Sequence, residues 1–411
     1  MQAVISLPER VEILSKTYSA IQLYFAHWVA VPELQLDAQY QQTLERALQS
    51  ESRLQFDLSM LDLIAALRNG HSWYRDPWLT ENYGQPLGFE VQTIENQWVI
   101  TASHVEALQR GDIVTRVNGA EPETFFQQNR RYLPGSSERE QRTKFERLRI
   151  LLPTTLKVET DRTSTTIDRA AVEEPEPEMV AHWVAPNRVG YIKIPSFSEG
   201  YYEEQALAYV DAFQSAEYLI IDVRGNVGGT TPGQLVGRLM ERPYRFWMES
   251  TPVTVGLFQA YNRVLDRYGE QLPEAHRSAL ELSRLFQHAS LMWPASLERP
   301  HTTGFTGKLI LLIDGGCVSA GEDFVVPFKD NGRATLIGEH TMGSTGQPHF
   351  ERFENGIAVG IGTKRAYLPD GAAFEGVGIA PDIEVRPTIE DVRAGRDVVM
   401  EAAIRLVNDA G

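Results

Sequence analysis

Residues Leu311 to Gly346 read LLIDGGCVSAGEDFVVPFKDNGRATLIGEHTMGSTG. An apolar run with the pattern of a buried strand ends at Asp314-Gly315-Gly316 and delivers Ser319 to the start of a helix. A serine at such a strand-to-helix turn is exposed at a sheet edge, where the backbone N–H of Ala320 can point at a developing oxyanion. Glu322 stands three residues later, so the same pattern also fits a helix-capping box. Locally, nucleophile and cap are both open.

Upstream, a second strand runs into glycines. Tyr218–Val223 leads into Asp222-Val223-Arg224-Gly225-Asn226-Val227-Gly228-Gly229, and a helix is expected over Gly233–Met240. A strand at Val189–Ile194 and a helix near Glu203–Gln214 precede it. This alternation of strand, turn and helix predicts an α/β core with crossover connections. The pair Gly228-Gly229 lets backbone N–H groups face a small pocket, an oxyanion site in the functional reading and a tight turn in the plain one. Neither phosphate-loop spacing, G-x-x-x-x-G-K-[ST] or G-x-G-x-x-G, is present.

Helical periodicity dominates from Leu7 to Leu67 and is expected to stop at Asn69-Gly70, immediately before His71. Short strand patterns follow in LGFEV, QWVITA, DIVTRVNG and TLKVET, with a helical stretch expected through Phe145–Leu152. Glu173–Glu178, EEPEPE, reads as a linker. The expected organisation is an N-terminal helical region over 1–80, a β-rich domain over 81–170 and an α/β core over 171–411. Two helical patterns mark 241–300 as an insertion in that core.

With 411 residues and 42% hydrophobic content the chain can bury a large core. Its net charge of −16 argues against nucleic acid and anionic membranes as partners. The single cysteine, Cys317, excludes internal disulfides and multi-thiolate metal sites. No HExxH spacing occurs, so neither metal nor other cofactor is expected. No apolar run reaches the length of a membrane span and the first residues lack a signal-peptide pattern, so a cytoplasmic location is expected.

A serine needs a base, and a histidine needs an acceptor on its other nitrogen. Of nine histidines, His71 in NGHSWYRD and His340 in GEHT sit in loops beside candidate motifs. The G-x-S-x-G elbow is absent because Cys317 takes the place of its first glycine, which argues against an α/β-hydrolase.

Taken in order, NGHSW, PLGFEV…GDIVTRVNG, LIIDVRGNVGG, LLIDGGCVSAGEDF…ATLIGEHTMGSTG and FEGVGIAPDIEV resemble the C-terminal processing (tail-specific) serine peptidase family, from roughly Leu61 to Val385. The resemblance implies a crotonase/ClpP-like α/β core, a PDZ-like β-rich domain and Ser319 as nucleophile. The position matching the general-base lysine of the Ser–Lys type is Ser344, while Lys329 and Lys364 lie in differently patterned segments. The resemblance is therefore to the tricorn-like Ser/His/Glu branch, with His71 as base and Glu375 holding the imidazole. Gly70 stands where tricorn proteases carry a serine, and a substitute role for Ser72 is open.

The implied chemistry is acyl transfer to Ser319, with N–H groups of Ala320 and of Gly228 or Gly229 binding the oxyanion. Glu322 and Asp323 read as helix-start charges and Cys317 as a packing residue. Leu87-Gly88-Phe89 resembles the carboxylate-binding loop of PDZ domains, implying peptide or unfolded-protein tails as substrates. Two other readings stay open: a non-catalytic protein binding an apolar ligand or a peptide on the same fold, and an esterase using the same triad. Homo-oligomer formation is also open.

Overall fold

The computed structural model describes residues 4–409 except 148, 174–177, 199, 253–289 and 301–303. Its centre is a six-stranded sheet in the order Ile383–Glu384, Ala334–Gly338, Lys308–Ile313, Tyr218–Asp222, Val189–Lys193, Val180–Ala185. All neighbouring strands are parallel except the last pair. The reason the inner strands are continuously apolar is visible in their alternation. Leu309, Leu311 and Ile313 face one core with Leu219 and Ile221, whereas Ile310 and Leu312 face another with Tyr218 and Ile220. Helices Tyr201–Ala212, Gly233–Leu239 and Ala320–Asn331 cover the first face, and Val398–Asp409 covers the second. A sheet sandwiched this way has no polar face.

Helices Leu7–Tyr24, Leu36–Gln49 and Arg53–Ala65 do not form a core of their own. Ile13, Leu14, Ile21, Phe25, Phe56, Met60 and Ile64 pack with Ile357, Val359 and Ile361 from far along the chain. The strand Trp73–Arg75 pairs antiparallel with Ala358–Gly362, which in turn pairs with Pro348–Arg352. That pairing brings the residues just before Trp73, His71 among them, to the C-terminal half.

Residues 89–168 build a five-stranded antiparallel sheet, Phe89–Ile94, Gln97–Ser103, Ile113–Val117, Thr155–Thr160, Ser164–Asp168, in chain order. The four strand patterns read from the sequence are present. The helix expected through Phe145–Leu152 lies earlier, at Glu138–Arg147. Its sequence EREQRTKFER carries a helix through strong helix formers and acidic first-turn residues, a signal that apolar periodicity misses.

The helical stop also differs from expectation. The third helix ends at Ala65 with Ala66 as its cap, and the chain turns at Arg68, φ +45°, before Asn69-Gly70 is reached. Most of the linker at Glu173–Glu178 lies outside the described residues, as does the centre of the 241–300 insertion. The ends of that insertion are strands, Tyr244–Arg245, Met248–Pro252, Ser290–Trp293 and Leu297–Glu298. Among the described residues no helix is long and apolar enough to cross a membrane.

Candidate active site

Ser319 is the N-cap of helix Ala320–Asn331, directly after the turn that ends strand Lys308–Ile313. Its backbone has φ +57° and ψ −124°, a left-handed region costly for a residue with a Cβ. The surroundings hold it there: its N–H donates to Ser344 O at 3.0 Å and to Glu322 Oε2 at 3.3 Å. Gly228, φ +85°, lies against it. A Cβ at Gly228 would stand 2.7 Å from Ser319 Cβ, so only glycine lets the two turns meet.

The Ser319 hydroxyl faces a histidine. Oγ is 3.1 Å from His71 Nε2, and on the other side of the ring Nδ1 is 2.8 Å from Ser344 Oγ. Ser344 in turn donates to Glu375 Oε1 at 3.2 Å. The structure thus joins Ser319, His71 and Glu375 from three distant segments. The contact expected between Glu375 and the imidazole is indirect, because the Ser344 hydroxyl stands between them. Asn69 Nδ2 and Ser136 Oγ also donate to Glu375 Oε1, at 3.2 and 2.9 Å. Glu375 Oε2 is buried with no hydrogen-bond partner among the described residues.

Burial, with the positive charges of Lys144 and His27, pushes the His71 imidazolium down to about 3. Burial and the Glu140 charge push Glu375 up to about 8, against the pull of Ser136, Arg365 and Ser344. The resting ring is therefore neutral at physiological pH, as a proton acceptor must be. His340 does not join the site through its ring; its carbonyl accepts from Arg139 Nη1 at 3.2 Å.

Glu322 does more than complement a helix dipole. Its Oε1 accepts from Thr341 Oγ1 and from the Gly343 N–H, both at 2.6 Å, and its Oε2 from the Ser344 N–H at 3.0 Å. With the Ser319 N–H, four donors meet one buried carboxylate, which anchors the loop carrying Ser344. Asp323 accepts from Thr231 Oγ1, Trp247 Nε1 and Thr345 Oγ1 at 2.5, 2.7 and 2.9 Å. Both residues sit in the first helical turn, where expected, and both tie neighbouring loops to it.

The glycine turn divides its work. The Gly228 N–H donates to Asn226 Oδ1 at 2.9 Å and so is already committed, which removes Gly228 from the pair expected to bind an oxyanion. No acceptor meets the N–H of Gly229 or of Ala320 among the described residues. Ser72, whose role was open, donates to Asn69 Oδ1 at 2.9 Å and accepts the Gly362 N–H at 3.1 Å. It orients Asn69 and does not meet His71. Lys329 pairs with Asp382, and Lys364 with Glu249 at 3.1 Å.

Cys317 is fully buried, and that burial pushes its thiol well above the ordinary range, consistent with packing. Leu87 and Phe89 are buried in the β-sheet domain, lining a small apolar hollow with Val91, Trp98, Phe125 and Phe145. Gly88 between them has φ +81°. Among the described residues no group of three or more His, Cys, Asp or Glu could hold a metal ion.

Ser344, Asn69, Ser136 and Glu322 are the site residues the sequence reading missed. In the sequence, Ser344 stands out only as the residue at the position of a lysine. Nothing in the local sequence marks Ser136, which arrives from the β-rich region.

A sequence model of peptidase family S41 matches residues 188–385. The carboxy-terminal-processing protease of Bartonella bacilliformis is 37% identical over 93 residues, 22% of this chain and 21% of that protein. The carboxyl-terminal-processing protease of Synechocystis sp. is 25% identical over 224 residues, 53% of this chain and 44% of that one. The chain spans less than half the length of these curated relatives. Among solved structures, mature CPAF complexed with lactacystin has the same fold, with a TM-score of 0.71 at 16% identity over 98% of this chain and 99% of that one. The stretch that carries Ser319 and Glu375 thus matches the sequence model of peptidase family S41, and the mixed α/β fold around it is shared with mature CPAF.

Proposed function

We propose that this protein is a serine peptidase of the tricorn-like Ser/His/Glu type, hydrolysing peptide bonds in unstructured or C-terminal protein segments. The observation that carries the reading is the continuous chain from Ser319 Oγ through His71 and Ser344 Oγ to Glu375 Oε1.

The chain of contacts has one consistent direction. With Glu375 ionised, Ser319 Oγ–H donates to His71 Nε2, His71 Nδ1–H donates to Ser344 Oγ, and Ser344 Oγ–H donates to the carboxylate. As Ser319 attacks a peptide carbonyl carbon, its proton passes to Nε2. The imidazolium is then supported by Glu375 through Ser344 and gives the proton to the leaving amine. Water attacks the resulting acyl-Ser319 with His71 again as base. The N–H groups of Ala320 and Gly229 suit the oxyanion, each donor contributing about 3–4 kcal/mol in comparable sites. Lys329 and Lys364, both in ion pairs with other residues, do not take the part of the base.

The sheet over 89–168 serves as a PDZ-like module for substrate tails. Its outer strand, Phe89–Ile94, runs beside helix Glu138–Arg147 and begins at Leu87-Gly88-Phe89, an arrangement suited to a peptide added as a further strand.

Labelling by a fluorophosphonate tests the nucleophile. An adduct on the parent that is absent from Ser319→Ala and reduced in His71→Ala is expected; no Ser319-dependent adduct overturns the enzyme reading. Peptide-library cleavage divides peptidase from esterase, and hydrolysis of esters alone overturns the peptidase.

A further inference from the structure

We propose that Ser136 is a positioning residue of this active site, its hydroxyl setting Glu375 and the Gly70-His71 segment in place relative to each other. The inference rests on the hydrolytic reading of Ser319, His71 and Glu375, and goes beyond it by assigning part of the site to the β-rich region.

The hydroxyl has one proton and two close partners. The Gly70 N–H donates to Ser136 Oγ at 3.2 Å, so the Ser136 proton goes to Glu375 Oε1 at 2.9 Å. One atom thereby links the backbone before the base to the carboxylate that supports it.

Ser136 is itself held from several sides. Its N–H donates to Glu140 Oε2 at 2.6 Å. Lys144 Nζ lies 2.8 Å from Glu140 Oε1 and donates to Gly70 O and Pro134 O at 2.9 and 3.1 Å. Arg139, on the same helix, donates to the carbonyls of His340, Thr341, Met342 and Val377. Those carbonyls flank Ser344 on one side and Glu375 on the other. Helix Glu138–Arg147 therefore grips the segments that carry His71, Ser344 and Glu375, and Ser136, two residues before the helix, contacts the carboxylate.

The electrostatic consequence is directional. Charged groups acting on Glu375 are Glu140 from this helix, Arg365 from strand Arg365–Tyr367 and Glu322 from helix Ala320–Asn331, while Lys144 of this helix acts on the His71 ring. Ser136 is one of three donors to Oε1, each favouring the ionised carboxylate against burial. Removing it makes Glu375 harder to ionise.

Peptide hydrolysis by the full chain across a pH series, with thermal melts, tests this on Ser136→Ala, Ser136→Thr and Ser319→Ala. Expected for Ser136→Ala is about a tenfold fall in kcat with KM unchanged, the size of one lost hydrogen bond to a charged group. The ascending limb of its pH profile moves to higher pH, and Ser136→Thr restores both. A parental kcat and pH profile in Ser136→Ala overturns the proposal. So does equal loss of activity and melting temperature in the Ala and Thr variants, which makes the contact structural only. A parent no more active than Ser319→Ala brings down the hydrolytic reading itself, an outcome told apart because it does not depend on residue 136.

Discussion

The hydroxyl of Ser344 lies between His71 and Glu375, 2.8 Å from Nδ1 of the ring and 3.2 Å from Oε1 of the carboxylate. The carboxylate thus reaches the imidazole through a neutral group that can accept and donate at once. Replacing Ser344 with alanine breaks the relay while its backbone N–H to Glu322 stays in place. Ser344→Ala is expected to lower kcat by about 10²-fold with little change in KM or melting temperature. Steady-state kinetics on a peptide substrate check this; a parental kcat shows that Glu375 does not act through Ser344.

Gly70 is required for space and not for a turn. A Cβ there would stand 1.9 Å from Glu140 Oε1 and 2.4 Å from Ser344 Oγ, with Arg68 already supplying the positive φ. Gly70→Ala should therefore displace both side chains, lowering kcat at least tenfold for a stability loss of about 1–2 kcal/mol. Parallel kinetics and urea melts separate the two effects, and parental kcat would show that the crowding relaxes harmlessly.

Glu322 meets donors on both oxygens, two on Oε1 and two on Oε2. A glutamine at this position must turn its amide nitrogen toward one donor pair. Glu322→Gln is expected to destabilise the protein by about 2–3 kcal/mol and to slow Ser319 labelling, since the loop from Thr341 to Ser344 loses its anchor. Unchanged urea midpoints and labelling rates would mean that the carboxylate is not what holds that loop.

A second buried cluster gives a pH prediction. Tyr74 donates to Asp57 Oδ1 at 2.6 Å, while Arg53 forms a two-point pair with Asp76 at 2.5 and 2.7 Å. Burial and the neighbouring Asp76 charge push Asp57 up to about 8, above its unfolded value of about 3.9. A raised carboxyl binds more protons folded than unfolded, so its contribution is full below about pH 4 and is lost as pH rises through about 8. Asp57→Asn keeps an acceptor for Tyr74 and removes that loss, which should flatten the decline and stabilise the protein at pH 9 by on the order of 2 kcal/mol. Urea midpoints at pH 5, 7 and 9 measure it; a parent as stable at pH 9 as at pH 5 contradicts it.

Much of the core was legible because its strands are buried on both faces and therefore uninterruptedly apolar. Tyr218–Asp222 and Lys308–Ile313 could be placed, with their glycine turns, from that pattern alone. Helix Glu138–Arg147 is not legible at its true position because its contacts with the site are polar and leave no apolar period. The sequence offers Gly228 or Gly229 as an oxyanion donor without choosing between them, and the Asn226 side chain takes the Gly228 N–H, a contact that depends on how the turn closes.

The sequence alone determined the alternation of strand, turn and helix and the chemical types of Ser319, His71 and Glu375. These follow from local backbone preference and from motif order along the chain. Only the tertiary structure decided that Ser344 stands between base and acid, that Gly70 must be small, and that Ser136 comes in from the loop before helix Glu138–Arg147. His71 and Ser319 are 248 positions apart, and Ser136 and Glu375 239 apart. At such separations, contacts are set by the pairing of Trp73–Arg75 with Ala358–Gly362 and by the grip of Arg139 and Lys144 on distant carbonyls. Hydrogen-bond geometry is a property of folded neighbours, and no spacing along a chain encodes it.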